Sequence, residues 1–146
     1  MLYPITTKTD NVDVKNFFST KFNEVNIRNG PGINYFIIGK HLKKGLPLLV
    51  IGEFDNWKRI VNFLGVEGWV ANSQISKKRF GITVVERSEI KSFPKNNSKV
   101  LMVLGEKINF PIQKCNKDWC KIKYDKITGW VEKKNFWGVF EREVFN

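Results

Sequence analysis

Two segments of the chain carry one pattern, and that repeat limits the fold more than any other feature. The stretch "FDNWKRIVNFLGVEGWVANSQIS", residues 54–76, is matched by "NKDWCKIKYDKITGWVEKKNFW", residues 116–137. Trp57 and Trp119 each open a short apolar run, with Ile60 and Ile122 three residues on. A turn follows, then Gly68-Trp69-Val70 in one copy and Gly129-Trp130-Val131 in the other. The two Trp-to-Trp intervals differ by one residue, which a hairpin loop absorbs. Upstream of each lies an apolar run after a glycine, "GLPLLVIGEF" from Gly45 and "GEKINFPIQK" from Gly105.

Both copies read as short strands. "EVNIR", "LPLLVIGEF", "WKRIVNF", "GWVANS" and "FGITVVER" are rich in β-branched and aromatic residues, with Gly, Pro, Asn or Asp between them. Nothing sustains a helical apolar period, and "SQIS" and "KKNFW" are placed as single 3₁₀ turns. Regularly spaced short strands predict an all-β chain of two small barrels or sandwiches. A barrel of about 60 residues buries only about 60% of its unfolded surface, so the copies are expected to pack together. Ile27, Val50, Ile60, Val70, Ile112, Ile122 and Val131 are the expected interior residues.

Together, "VNIRNGPGINYFII", "WKRI", "GWVANSQIS", "CNKDWCKI" and "GWVEKKNFWGV" resemble the tandem bacterial SH3 (SH3b) proteins, of the SH3-like type found in alphaproteobacteria. The similarity runs from about Glu24 to Val139. It implies two SH3-like β-barrels: an N-terminal extension over 1–22, a first domain over 23–79, a second over 80–140 and a C-terminal tail over 141–146. It further implies an extracytoplasmic setting and, in several relatives, attachment of an enzyme to peptidoglycan. It does not imply catalysis. The second copy departs from the pattern at "IKSFPKNNSKV", where the Gly-Pro-Gly turn is replaced and only Pro94 and Ser98 hold similar places.

The loop "NIRNGPGINY" invites a phosphate-binding reading, but such loops need a helix N-terminus behind them, and "INYFII" reads as extended chain. Its first job is therefore to turn the chain, with Pro31 fixing one φ and the glycines supplying positive φ. Arg28, Tyr35 and Trp57 flank it as candidate ligand-binding residues on a rigid scaffold: Arg28 for a carboxylate, the aromatics as walls. The default role of the tryptophans is barrel packing, with Trp57 the one expected to be partly exposed.

Cys115 and Cys120 are separated by "NKDW", a hairpin spacing that sets the two residues opposite each other at disulfide distance. A zinc site needs further ligands, and His41, in the basic turn "GKHLKKG", is the lone histidine and reads as solvated. Bonded cysteines and one histidine leave no Cys-His machinery, so no catalytic residue, metal or cofactor is expected. The disulfide favours an oxidising compartment.

The net charge of +11 permits an acidic partner: nucleic acid, an anionic lipid surface or an anionic envelope polymer. Most of it is Lys, which argues against sequence-specific nucleic-acid reading. No stretch approaches the roughly 20 apolar residues of a membrane span, and no signal peptide is evident, so the protein is either cytosolic or has lost its leader, and the cysteines favour the second. The reading is a non-enzymatic periplasmic or secreted protein that binds a peptide or peptidoglycan fragment. A scaffold module for an envelope or host protein is the rival, and charge-driven nucleic-acid binding the third reading.

Overall fold

The computed structural model describes residues 15–146. The first barrel contains β1 (Asn16–Thr20), β2 (Val25–Arg28), β3 (Ile37–His41), β4 (Pro47–Phe54), β5 (Trp57–Asn62), β6 (Glu67–Ala71) and β7 (Ile75–Ser76). The second contains β8 (Phe80–Thr83), β9 (Ser88–Lys91), β10 (Val100–Leu104), β11 (Asn109–Cys115), β12 (Trp119–Tyr124), β13 (Ile127–Glu132) and β14 (Phe136–Trp137). The strand orders, β3-β2-β6-β5-β4-β1-β7 and β10-β9-β13-β12-β11-β8-β14, are the same order repeated. All pairings are antiparallel. The 3₁₀ turns Asn72–Gln74 and Lys133–Asn135 stand at equivalent places before the last strand of each barrel.

All seven expected interior residues are buried. The first core is Val25, Ile27, Leu48, Val50, Ile60, Val70 and Ile75; the second centres on Ile90, Phe110, Ile112, Ile122 and Val131. Trp119 is buried as expected and Trp57 is half-buried as expected, but Trp69, Trp130 and Trp137 are only half-buried and neither core cluster contains a tryptophan. Strand alternation explains this: Gly68 and Val70 point inward, so Trp69 between them points out. Gly68 is glycine because a Cβ there would lie 2.4 Å from Ile27 and 3.0 Å from the Arg28 carbonyl, and Gly129 is equally tight against Ile90.

β1 lies in the segment read as an N-terminal extension, yet it pairs with both β4 and β7 within the first sheet. Its Thr20 hydroxyl donates to the Lys43 carbonyl at 2.7 Å and accepts the Leu46 N–H at 2.8 Å. Thr83 of β8 makes the matching pair of bonds with Gly105 and Ile108. The C-terminal tail is also part of a barrel, because the Cys115 and Phe145 backbones exchange hydrogen bonds in both directions.

The barrels meet around Phe17. Its ring packs edge-on against Trp137 at 5.1 Å and at a tilt against Phe140 at 4.8 Å. Trp137 thus faces the first barrel. Arg79, at the expected boundary, lies over the Phe17 and Phe145 rings, holds Glu143 with both Nη atoms at 2.8 and 3.0 Å, and donates to the Gly138 carbonyl. A charge-assisted fork between aromatic faces is geometrically demanding, so it fixes the joint.

Candidate functional site

The turn after β2 is built around two side chains. Arg28 Nη1 donates to the Ile33 and Tyr35 carbonyls at 3.2 and 3.0 Å, bracing the loop from within. The Tyr35 ring lies on the turn, where a Cβ on Gly30 would come within 2.2 Å of it. Neither Gly30 nor Gly32 is at positive φ, so the expected reason for these glycines is corrected: they make room for a ring.

Residues 92–99 reproduce the loop without its glycines. The bonds Asn29 N–H to Phe36 O, Gly32 N–H to Gly30 O and Tyr35 N–H to Gly32 O recur as Ser92 to Lys99, Lys95 to Phe93 and Ser98 to Lys95. Lys91 takes the place of Arg28, donating to the Asn96 carbonyl at 2.8 Å. Where the first loop pairs Gly30 with Tyr35, the second pairs Phe93 with Ser98, so large and small residues have changed places.

Arg28 and Trp57 line one depression of about 320 Å³, with Asn26, Ile33, Ala71, Ser73 and Gln74. Tyr35, expected as a wall, does not line it, because its ring is spent on the turn. Asn26 Oδ1 is buried there and accepts no hydrogen bond among the described residues. The Arg28 Nε and Nη2 likewise have no partner among the described residues, since only Nη1 is engaged.

The second barrel carries the equivalent depression, about 270 Å³, lined by Glu89, Lys91, Trp119, Glu132, Lys134 and Asn135 with Arg87. Its acids are neutralised locally. Glu89 is paired with Arg87 and Lys91, and hydrogen bonds from Lys91 and then Arg87 hold its carboxyl below the usual range. Glu132 is paired with Lys134. On the other side of Trp119 a larger hollow of about 480 Å³ runs to Lys133, Phe140 and Arg142. Sequence reading missed Asn26, Ala71, Ser73 and Gln74; the signal was the repeat itself, which aligns Ala71 with Glu132 directly after each Gly-Trp-Val.

Cys115 and Cys120 are bonded to each other across the β11–β12 hairpin, with Cα atoms 4.0 Å apart. His41 is corrected from solvated to buried. It pairs across strands with Val25, burial lowers its pKa, and its Nε2 has no partner among the described residues. Among those residues no group of three or more His, Cys, Asp or Glu could hold a metal ion, and no helix is long and apolar enough to cross a membrane.

Residues 21–77 and 85–138 each match the bacterial SH3 domain, and the chain belongs to that family as a tandem pair. It is also 28% identical over 119 residues to the putative N-acetylmuramoyl-L-alanine amidase YrvJ of Bacillus subtilis (strain 168), covering 74% of this chain and 23% of that protein. The chain thus spans under a quarter of that relative's length. Two solved structures from Trichomonas vaginalis, NlpC2 and NlpC1, align at TM-scores of 0.40 and 0.39, each with 11% identity. They cover 87% and 93% of this chain and 49% and 50% of their own.

Proposed function

We propose that this protein is a non-enzymatic, extracytoplasmic binder of peptidoglycan-derived peptide, and that the first-barrel groove holds the ligand. The observation that carries the reading is the state of Arg28. Its Nη1 is committed to the loop, which fixes the guanidinium, while Nε and Nη2 keep the edge that takes a carboxylate through two parallel hydrogen bonds. Asn26 lines the same depression, and Trp57 supplies an apolar wall. An extended peptide ending in a carboxylate offers a partner to both Arg28 and Trp57. The Bacillus relative supports the choice of polymer, since its name refers to the muramoyl-alanine junction of glycan and peptide. The disulfide supports an oxidising compartment, the periplasm or the outside of the cell.

The test is co-sedimentation with purified sacculi over a salt series. Groove binding persists at moderate salt and is lost in Trp57→Ala and Arg28→Ala, whereas attraction by net charge alone is screened out. No sedimentation at any salt contradicts the reading.

One observation favours the rival, a scaffold for an envelope or host protein. β3 is a sheet edge, and Phe36 and Ile38 on and beside it are 79% and 49% exposed. An apolar edge of this kind accepts a partner strand.

A further inference from the structure

The outward faces of the two barrels differ in a way their shared scaffold exposes. In the first barrel a cross-strand row runs Gly52–Arg59–Trp69–Arg28, and Arg59 is neutralised by Glu67, 2.5 Å away. In the second barrel the same row runs Lys114–Lys121–Trp130–Lys91. Lys114 replaces Gly52, Lys121 replaces Arg59, Lys123 replaces Val61, and Thr128 stands where Glu67 would balance them. Three cations are gained or kept while the acid is lost. Among the described residues Lys114, Lys121 and Lys123 form no ion pair; Glu132, on the same face, is engaged by Lys134.

This arrangement is unfavourable by itself. Lys114 and Lys121 are direct register partners, and like charges placed opposite one another destabilise a sheet. An anion lying across the strands removes that repulsion. We infer that the β11–β12–β13 face of the second barrel binds a linear phosphate polymer without bases, at Lys114, Lys121 and Lys123 beside Trp130.

Three features select that chemistry. Neighbouring strands set the lysines roughly 5 Å apart and alternate residues along a strand roughly 7 Å apart, which suits successive anions on a chain rather than one carboxylate. All three cations are Lys, a compact point charge that binds phosphate without requiring a planar, bidentate partner. Trp130 is not free for stacking, because the Lys114 ammonium lies 5.9 Å from its ring centroid, and single-stranded nucleic acid needs aromatic platforms.

The test is titration of the intact protein with inorganic polyphosphate, with orthophosphate, oligo-dT and polyglutamate as comparisons. Polyphosphate is expected to bind most tightly. Lys114→Gln/Lys121→Gln/Lys123→Gln should weaken it at least about tenfold and flatten the log–log salt dependence by about two to three. A variant with the same charge change in the first barrel, Lys43→Gln/Lys44→Gln/Lys77→Gln, should stay within about twofold of the parent. Equal losses in both variants, tighter binding of oligo-dT or polyglutamate, or no polyphosphate binding at low salt overturns the assignment. Because the peptide site is on the other barrel, the Lys114/Lys121/Lys123 variant leaves sacculus binding through Arg28 and Trp57 unchanged, and the two readings fail separately.

Discussion

Lys58 Nζ lies 3.0 Å from Glu53 Oε1, and this pair of residues opposes across β4 and β5 at the position where Cys115 and Cys120 oppose across β11 and β12. One fold closes the same hairpin with an ion pair in one copy and a covalent bond in the other. The bond closes a short loop, so the chain-entropy estimate of its contribution is about 2 kcal/mol. The ion pair is half exposed and contributes at most about 1 kcal/mol. We predict that Glu53→Cys/Lys58→Cys oxidises without further design and raises stability by about 2 kcal/mol over its reduced form. In the parent protein, a thiol titration of unreduced, unfolded chain should find no free sulfhydryl.

The loop swap makes a second prediction. Gly30→Ala places a methyl group into the Tyr35 ring and should cost about 1–3 kcal/mol. In a Tyr35→Ser background, which reproduces the small residue of the second loop, the same substitution should cost almost nothing. Denaturant unfolding of the four variants in a double-mutant cycle reads the coupling, and additive costs would remove the packing explanation.

A cross-strand pair in each core has exchanged its polar member: Val25 faces His41, and Ser88 faces Leu104. Ser88 is fully buried with no partner for its hydroxyl among the described residues. Ser88→Val, copying Val25, should therefore stabilise the second barrel by about 1 kcal/mol or more. A loss of stability would mean that the extra methyl groups overfill the site.

His41 sets a pH dependence. Burial lowers its pKa below the ordinary 6.5, so the unfolded chain binds the proton more readily than the folded one. Its contribution is complete above about 6.5 and is lost as pH falls from there toward the depressed folded value, below which the loss levels off. His41→Leu, copying Leu104, should flatten the stability profile in that window. An unchanged slope would assign the dependence to other groups.

Much of this architecture is legible in the sequence because the repeat reports register. Gly68-Trp69-Val70 and Gly129-Trp130-Val131 mark the strands of maximum constraint, where a buried glycine admits a neighbouring strand. Volume alone would place Trp69 in the core, whereas its parity with the buried Gly68 and Val70 turns it outward. The exposed neighbours Lys43 and Lys44 mask a core position at His41 that its repeat equivalent Leu104 discloses. Tyr35 flanks the turn in sequence, but only three-dimensional packing shows its ring occupying the space Gly30 leaves. The Arg79–Glu143 fork joins residues too far apart in the chain for any local pattern to reveal.

The groove itself is tested most directly by a backbone-amide NMR titration with soluble muropeptides at moderate salt. Binding through Arg28 and Trp57 predicts shifts gathered at Asn26, Arg28, Ala71, Ser73, Gln74 and the Trp57 indole, and their disappearance in Arg28→Ala. Absence of shifts at saturating peptide, or shifts confined to the second barrel, contradicts it.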